Sequence, residues 1–133
     1  MSIGRGNGPM IYLDTHAVVW LYAGLTDRFS PQGVALMESN PLLISPVVQL
    51  ELQYLKEIGR ITTDAALIVE TLGFSVGLEL CPLPFGQVVT EAMTESWTRD
   101  PFDRLIVAQA KARQASLLTQ DRTILEHYPL ALW

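Results

Sequence analysis

Short apolar runs alternate with longer segments of helical periodicity along this chain. The apolar runs occupy residues 10–13, 42–44, 78–81, 116–119 and 130–133. Continuous runs of this length are typical of strands that are buried on both faces of a parallel sheet. The helices predicted between them cover residues 15–23, 31–40, 46–58, 63–73, 84–94 and 101–115, with a short helix from 121. This alternation predicts an α/β domain with a mostly parallel central sheet.

Local sequence signals mark several of the helix ends. Ser30 and Ser45 each precede a proline, the combination expected at an N-cap followed by the first helical position. Gly24, Gly59 and Gly73 follow helical segments and are expected to end them, because glycine readily adopts the left-handed backbone that closes a helix. These signals set the boundaries given above.

Length and composition are those of one compact domain. The chain has 133 residues, of which 49% are hydrophobic and 17% are charged, so a sizeable core is available and disorder is not expected. Residues 1–9 are rich in glycine and polar side chains and are expected to form a flexible leader. This leaves a single domain at residues 10–133.

Charge and cysteine content restrict the class of protein further. The net charge of -5 is unexpected for a protein whose whole surface binds nucleic acid, but it suits a local acidic site or a basic partner. The sequence has neither an apolar run long enough to span a membrane nor a secretory signal, so no membrane association is expected. Cys81 is the one cysteine and has no internal disulfide partner, so a reducing cytoplasm is the expected location.

Two aspartates directly follow predicted strands. Asp14 comes after the run at residues 10–13, and Asp121 lies just beyond the run at 116–119. Ligands of parallel sheets gather outside the carboxyl ends of the strands, so both aspartates are candidate site residues. Aspartate is also a good helix N-cap, and that structural role stays open for each of them.

Glu51 lies on the apolar side of a predicted helix. On a helical wheel of residues 46–58 the apolar arc contains Val47, Val48, Leu50, Leu52, Tyr54, Leu55 and Ile58. Glu51 falls near the middle of this arc, where a carboxylate without a partner is costly. A salt bridge or a metal ion must compensate for its burial. We prefer a metal or catalytic role, because buried ionisable groups cluster at functional sites.

Asp103 repeats this anomaly on the helix predicted at residues 101–115. The residues that share its face are of core type: Ile106, Val107 and Ala110. Asp100 directly precedes Pro101 and is explained as an N-cap, so we expect it to support the site, with direct metal contact as the second possibility.

Convergence of these four acids would create a strongly negative pocket, and protons or cations must relieve the repulsion. A hard divalent cation with oxygen ligands does so, and Mg²⁺ fits best, with Mn²⁺ as the alternative. His16, His127 and Cys81 are scattered singly, without the spacing of a zinc site, and are interpreted as structural. The sequence has neither a glycine-rich phosphate loop nor a nucleophile elbow.

Two other enzyme classes also place an aspartate after the first strand. A haloacid-dehalogenase-type phosphatase needs a second aspartate two residues later, where this chain has His16. A receiver domain needs a lysine late in the chain, but Lys111 lies in the middle of a predicted helix. The sequence disfavours both classes.

Four sequence blocks together carry a family resemblance. They are YLDTH at 12–16, SPVVQLEL at 45–52, RDPFDRLI at 99–106 and LTQD at 118–121. In this order, and spread over nearly the whole chain after the leader, they resemble the PIN domain, and within it the VapC-type toxins of bacterial toxin–antitoxin pairs. None of the acids expected from that family is missing.

The resemblance implies a Rossmann-like α/β/α sandwich and a Mg²⁺-dependent endoribonuclease that hydrolyses RNA phosphodiester bonds. It assigns the four acids of the site to Asp14, Glu51, Asp103 and Asp121. Thr119 matches a hydroxyl position that lines the site. Asp100 and Arg104 belong to the Asp-Pro-Phe-Asp-Arg block and are expected to support or orient it.

The resemblance also implies partners, namely a VapB-like antitoxin that neutralises the toxin and a second copy of the chain in a homodimer. The residues that hold RNA are not identified by the pattern. Candidates by position or type are Arg99, Arg104, Arg122, Trp20, Trp97 and Trp133. The alternative function is a PIN-like RNA-binding or scaffold domain that keeps its acids without cleaving RNA.

Overall fold

The computed structural model describes residues 9–133, which contain five strands and seven α-helices. The strands are β1 (Ile11–Leu13), β2 (Leu42–Ile44), β3 (Glu79–Leu80), β4 (Ser116–Leu118) and β5 (Ala131–Leu132). The helices are α1 (Thr15–Tyr22), α2 (Pro31–Ser39), α3 (Pro46–Glu57), α4 (Ala65–Val76), α5 (Phe85–Ala92), α6 (Pro101–Ala112) and α7 (Arg122–His127). A single 3₁₀ turn, Thr26–Arg28, lies between α1 and α2 and was not predicted.

The five strands form one parallel sheet in the order β3-β2-β1-β4-β5. In the central strand β1, Ile11 pairs with Leu42 of β2 on one side and with Ser116 of β4 on the other. Every residue of β1 and β2 is buried. Successive residues of a strand point to opposite faces, so both faces of the sheet centre are covered. The predicted α/β class is confirmed, and the pairing is parallel throughout these strands.

A polar contact lies inside the core between β1 and the segment that follows β3. The hydroxyl of Tyr12, which is 1% exposed, donates to the Sγ of Cys81 at 2.9 Å. Burial raises the pKa of Tyr12, because its ionised form would be poorly solvated there. Cys81 is buried and free. The contact ties β1 to the segment that follows β3.

The serine N-caps predicted for two helices are present. The hydroxyl of Ser30 accepts a hydrogen bond from the Gly33 N–H at 3.0 Å at the start of α2. The hydroxyl of Ser45 accepts one from the Val47 N–H at 3.2 Å at the start of α3. A proline occupies the first turn of each helix, where its missing N–H costs no hydrogen bond.

The prediction that Gly73 ends α4 is wrong. The helix continues to Val76 and ends at Gly77, whose φ of +72° is the left-handed conformation that glycine adopts at low cost. The helix predicted at residues 101–115 is also shorter than expected and ends at Ala112. Helix ends depend on which residue turns left-handed, and composition alone does not decide this.

The predicted leader, residues 1–9, lies outside the described residues except for Pro9. Within the described range, no helix combines the length and the apolar character that crossing a bilayer requires.

Candidate active site

The carboxyl ends of β1 and β4 are neighbours in the sheet, since Leu13 pairs with Leu118. The next residues along the two strands, Asp14 and Thr119, therefore emerge side by side. The Asp14 N–H donates to the Leu118 carbonyl at 3.2 Å, which extends the pairing by one residue. Parallel sheets bind ligands at this edge.

A cavity of about 370 Å³ opens at this edge. Its carboxylates are Asp14, Glu51, Asp100, Asp103 and Asp121. They come from four separate segments of the chain: the end of β1, helix α3, the start of α6 and the start of α7. The structure thus brings the four predicted acids and Asp100 to one cavity.

Asp14 is held by two hydrogen bonds inside the protein. Its Oδ1 accepts from the Ala17 N–H at 2.8 Å, which caps α1, and its Oδ2 accepts from the Thr119 hydroxyl at 2.5 Å. Burial raises the pKa of Asp14, and the two hydrogen bonds oppose that rise. The residue therefore caps α1 and also lines the cavity.

Asp121 also combines a cap with a place in the cavity wall. Its Oδ1 accepts from the N–H groups of Thr123 and Ile124 at 2.9 and 3.1 Å, at the start of α7. Its own N–H donates to the Thr119 hydroxyl oxygen at 3.0 Å. Thr119 thus links Asp121 to Asp14 through one fully buried side chain.

Glu51 reaches the cavity from α3 and is half-buried. The hydroxyl of Thr15 donates a hydrogen bond to its Oε1. Thr15 is 2% exposed and directly follows Asp14 in the chain. The first turn of α1 therefore holds one acid of the site through its backbone and another through a buried hydroxyl.

The apolar arc predicted for α3 is partly wrong. The buried residues of this helix are Val48, Leu52 and Leu55. Leu50, Tyr54 and Ile58 are instead 62%, 48% and 47% exposed. Glu51 lies at the border between the two groups rather than in the middle of a buried face. Its carboxylate can therefore reach the cavity without being enclosed.

Asp103 is half-buried in the first turn of α6. Burial raises its pKa to about 7, and the negative charges of Asp100, Asp121, Glu51 and Asp14 add to the rise. The two ion pairs of the described range join Lys56 to Asp64 and Lys111 to Glu95. Neither involves an acid of the cavity, so none of its carboxylates forms an ion pair within residues 9–133.

Asp100 caps α6, as the sequence predicted. Its Oδ1 accepts from the N–H groups of Phe102 and Asp103 at 2.8 and 3.3 Å. The capped turn orients Asp103 and places a fifth carboxylate in the cavity wall.

The donor set of the cavity fits a hard divalent cation, because carboxylate oxygens are the ligands that Mg²⁺ and Mn²⁺ prefer. Across residues 9–133, no three acidic, histidine or cysteine side chains lie close enough to form a ready-made metal site. The acids surround a space instead of meeting at one point.

Arg104 does not line the cavity. Its Nε and Nη2 donate to the carbonyls of Ala92 and Met93 at 3.2 and 3.4 Å, at the end of α5. Arg104 thus ties α5 to α6. Arg99 donates to the Ser96 carbonyl at 3.0 Å, within its own loop.

A family model described as the PIN domain matches residues 11–129. The chain belongs to the PIN-domain family. The matched range contains all five carboxylates of the cavity together with Thr15 and Thr119.

Solved structures share the fold of this PIN domain. VapBC2 from Rickettsia felis, bound to a DNA fragment from its promoter, gives a TM-score of 0.62 at 20% identity, over 92% of this chain and 96% of that one. VapBC-1 from nontypeable Haemophilus influenzae gives 0.57 at 16% identity, over 93% and 96%. A toxin–antitoxin complex from Klebsiella pneumoniae gives 0.57 at 13% identity, over 92% and 96%. Identities this low show a common fold and nothing more. No curated protein sequence matches the chain.

Among the polar and aromatic residues of the cavity wall in this PIN domain, Thr15, His16 and Gln120 were not predicted as site residues, and Trp20 was named only as a candidate contact for RNA. His16, interpreted from the sequence as structural, is exposed and lines the cavity. The available signal was spacing, since His16 and Trp20 are four residues apart on the helix that Asp14 caps. Thr15 gave no signal, because hydroxyl residues are common near helix starts.

Proposed function

We propose that this PIN domain is a Mg²⁺-dependent endoribonuclease that acts in the cytoplasm as the toxin of a VapBC-type pair. The observation that carries the proposal is the ring of five carboxylates around one cavity, where burial and mutual repulsion raise the pKa of Asp103 to about 7. Membership of a family whose members are generally metal-using nucleases supports it. The fold shared with proteins named VapBC supports the toxin assignment.

Asp14 and Asp103 are the proposed direct metal ligands, with Glu51 and Asp121 binding directly or through water. When bound, a divalent cation lowers the pKa of a water molecule, holds a phosphate oxygen and stabilises the charge that develops during hydrolysis. The acids supply the negative charge that holds such a cation.

The hydrogen bonds around the acids prepare them for this role. Thr119 and the Ala17 N–H favour the ionised form of Asp14 and fix its direction. Glu51, oriented by Thr15, is the proposed base that accepts a proton from the attacking water. The acids repel phosphate, so basic side chains must hold the RNA. Arg122, which is exposed and directly follows Asp121, is the proposed phosphate contact.

The proposed antitoxin is a VapB-like protein with a basic segment. The solved complexes named VapBC and toxin–antitoxin share the fold of this chain. An arginine or lysine of the partner would meet unbalanced carboxylates in the cavity and occupy the place of the metal. RNA cleavage that continues at the full rate with this partner bound would contradict the assignment.

The proposed homodimer uses an exposed apolar stripe along α3 and its C-cap, which consists of Leu50, Tyr54 and Ile58. These residues are spaced by four positions and therefore lie along one side of the helix. Phe102 of α6 packs beside Tyr54, with ring centroids 6.3 Å apart, and widens the apolar surface. Exposed patches of this kind mark interaction sites.

The test of the nuclease proposal is sequencing of RNA ends after brief expression of the parent chain and of Asp14→Asn. We expect new RNA ends with the parent and none with Asp14→Asn, because the amide carries no charge to hold a cation. The matched control is Glu70→Gln, which makes the same kind of change at an exposed position of α4 and should cut like the parent.

The alternative, an RNA-binding or scaffold domain without cleavage, predicts a different result. In that case purified parent protein binds RNA in Mg²⁺ but produces no new ends, and Asp14→Asn changes nothing. Equal cleavage by parent and Asp14→Asn would reject the assigned acids.

A further inference from the structure

The three tryptophans of the chain differ in what covers their rings. Trp97 lies parallel to His127, with centroids 4.8 Å apart and 6° between the ring planes. Trp133 stacks on Phe29 at 4.6 Å and 20°. Trp20, by contrast, lines the acidic cavity. Each of the other two already has a stacking partner within the protein, which makes Trp20 the tryptophan placed to meet a substrate.

Trp20 and His16 form one aromatic wall of the cavity. They are four residues apart on α1, which is about one helical turn and roughly 6 Å along the axis. Their ring centroids are 6.0 Å apart, with 50° between the planes. Asp14 is the N-cap of the same helix, so an acid of the site and the aromatic wall lie on consecutive turns of one segment.

The indole of Trp20 is fixed by two aromatic rings that meet it at steep angles and by a cation over one of its faces. Phe29 and Trp133 meet it at 83° and 77°, with centroids 6.5 and 5.4 Å away. The guanidinium of Arg28 lies over one face of the ring, 5.4 Å from its centroid. Among the aromatic residues that the structure describes, none is parallel to Trp20. A fixed, partly exposed indole of this kind suits a planar aromatic ligand.

We propose that Trp20 and His16 form a subsite for an unpaired nucleobase of the RNA, next to the phosphodiester on which the acids act. This inference rests on the proposed ribonuclease function. Stacking on an indole tolerates any base, because every base has a π face. Arg28 holds positive charge over one face of the ring, so the base stacks on the other face, and this charge attracts the RNA backbone.

The subsite selects single-stranded regions as the substrate class. A base within a duplex is already paired and stacked, so it must leave the helix before it enters a cavity. Loops, bulges and ends present bases that are free to do so. Double-stranded RNA should therefore be a poor substrate compared with an unpaired strand of the same sequence.

Two RNA probes separate base stacking from phosphate contacts. One is a short oligoadenylate, and the other is a ribose–phosphate oligomer of the same length without bases. Their binding is measured by fluorescence anisotropy with Ca²⁺ in place of Mg²⁺, so that cleavage is suppressed. We expect the parent to bind oligoadenylate roughly 5- to 100-fold more tightly than the abasic oligomer.

Variants of Trp20 test which residue produces this ratio of affinities. Trp20→Leu keeps apolar bulk in the cluster and should bring the affinities for oligoadenylate and the abasic oligomer close together. Trp20→Phe keeps an aromatic face and should preserve most of the difference between these affinities. Trp97→Leu is the matched control outside the cavity and should behave like the parent. An unchanged ratio in Trp20→Leu overturns the inference. If Trp20→Leu does not fold, the same two affinities are measured for His16→Ala, a change at an exposed position, and an unchanged ratio again overturns the inference.

The outcomes also separate this inference from the nuclease proposal. If the ratio depends on Trp20 but the parent cleaves no RNA in Mg²⁺, the nuclease proposal fails and the base subsite stands. If the parent cleaves RNA and the ratio does not depend on Trp20, the subsite alone is rejected. A parent that binds neither probe overturns the subsite.

Discussion

The hydroxyl of Thr119 donates a 2.5 Å hydrogen bond to the Oδ2 of Asp14, which lies 105 positions earlier in the chain. The two residues follow adjacent strands, so the sheet itself sets their distance. The same hydroxyl oxygen accepts from the Asp121 N–H. One buried side chain therefore couples two acids of the site, and its removal should disturb both.

Thr119→Val should lower kcat for RNA cleavage by about 10- to 100-fold, the loss expected when a charged hydrogen bond is removed. Without the hydroxyl, the pKa of Asp14 rises further, because burial is then less opposed. Thr119→Ser keeps the donor and should restore most of the activity. Parent-like kcat in Thr119→Val would show that Asp14 needs no such partner.

Thr15→Val should raise the Mg²⁺ concentration needed for half-maximal cleavage. Its hydroxyl holds the Oε1 of Glu51, and a freely rotating carboxylate binds or accepts protons less effectively. A Mg²⁺ titration of cleavage measures this, with Thr15→Ser as the conservative variant and Thr62→Val as an exposed control. Equal Mg²⁺ dependence in Thr15→Val and Thr62→Val would contradict the positioning role.

The strands could be predicted from the sequence with some accuracy, and the helix ends less well. An apolar run such as the one that forms β1 needs both sheet faces covered, so its type and place follow from composition. Gly73 and Gly77 were equally good helix stops by residue type. Which of them turns left-handed depends on how the chain enters β3, and this is a tertiary effect.

The acids of the site could be predicted where they occupy positions that are usually apolar. Asp14 after a strand and Asp103 on a core-type helix face stand out because carboxylates are costly in such places. Leu50 points outward although it is apolar, so the helical wheel misjudged the face of α3. Thr15 and Arg104 have ordinary residue types at their positions, and only the folded chain shows what they bind.

The metal-free protein should lose stability as the pH rises from about 4 to above 7. The folded pKa of Asp103 is about 7, above the value of about 3.9 for an unfolded aspartate, so the folded state binds this proton more tightly. The stabilising effect is complete below the unfolded pKa and is lost as the pH passes through the folded one. Asp103→Asn should therefore be more stable than the parent at high pH.

The size of this effect is limited by solvent screening of a half-buried carboxylate. We expect Asp103→Asn to gain roughly 1–2 kcal/mol in the free energy of unfolding in alkaline buffer and little in acidic buffer. Urea unfolding of both proteins in the presence of a chelator measures the difference. The same gain at both pH values would show that the substitution acts through packing and not through charge.

Leu50→Glu should convert the proposed homodimer into a monomer of 14.8 kDa, as measured by light scattering after gel filtration. Leu50 is 62% exposed in the single chain, so a charge there is solvated in the monomer, whereas dimerisation through α3 would bury it. The unfolding free energy of the monomer should change by less than about 0.5 kcal/mol, as for most surface substitutions. Phe74→Glu is the matched control, because Phe74 is an even more exposed apolar residue on α4 and lies outside the stripe. If Leu50→Glu remains dimeric while Phe74→Glu dissociates, the interface lies on α4 and the assignment to α3 is wrong.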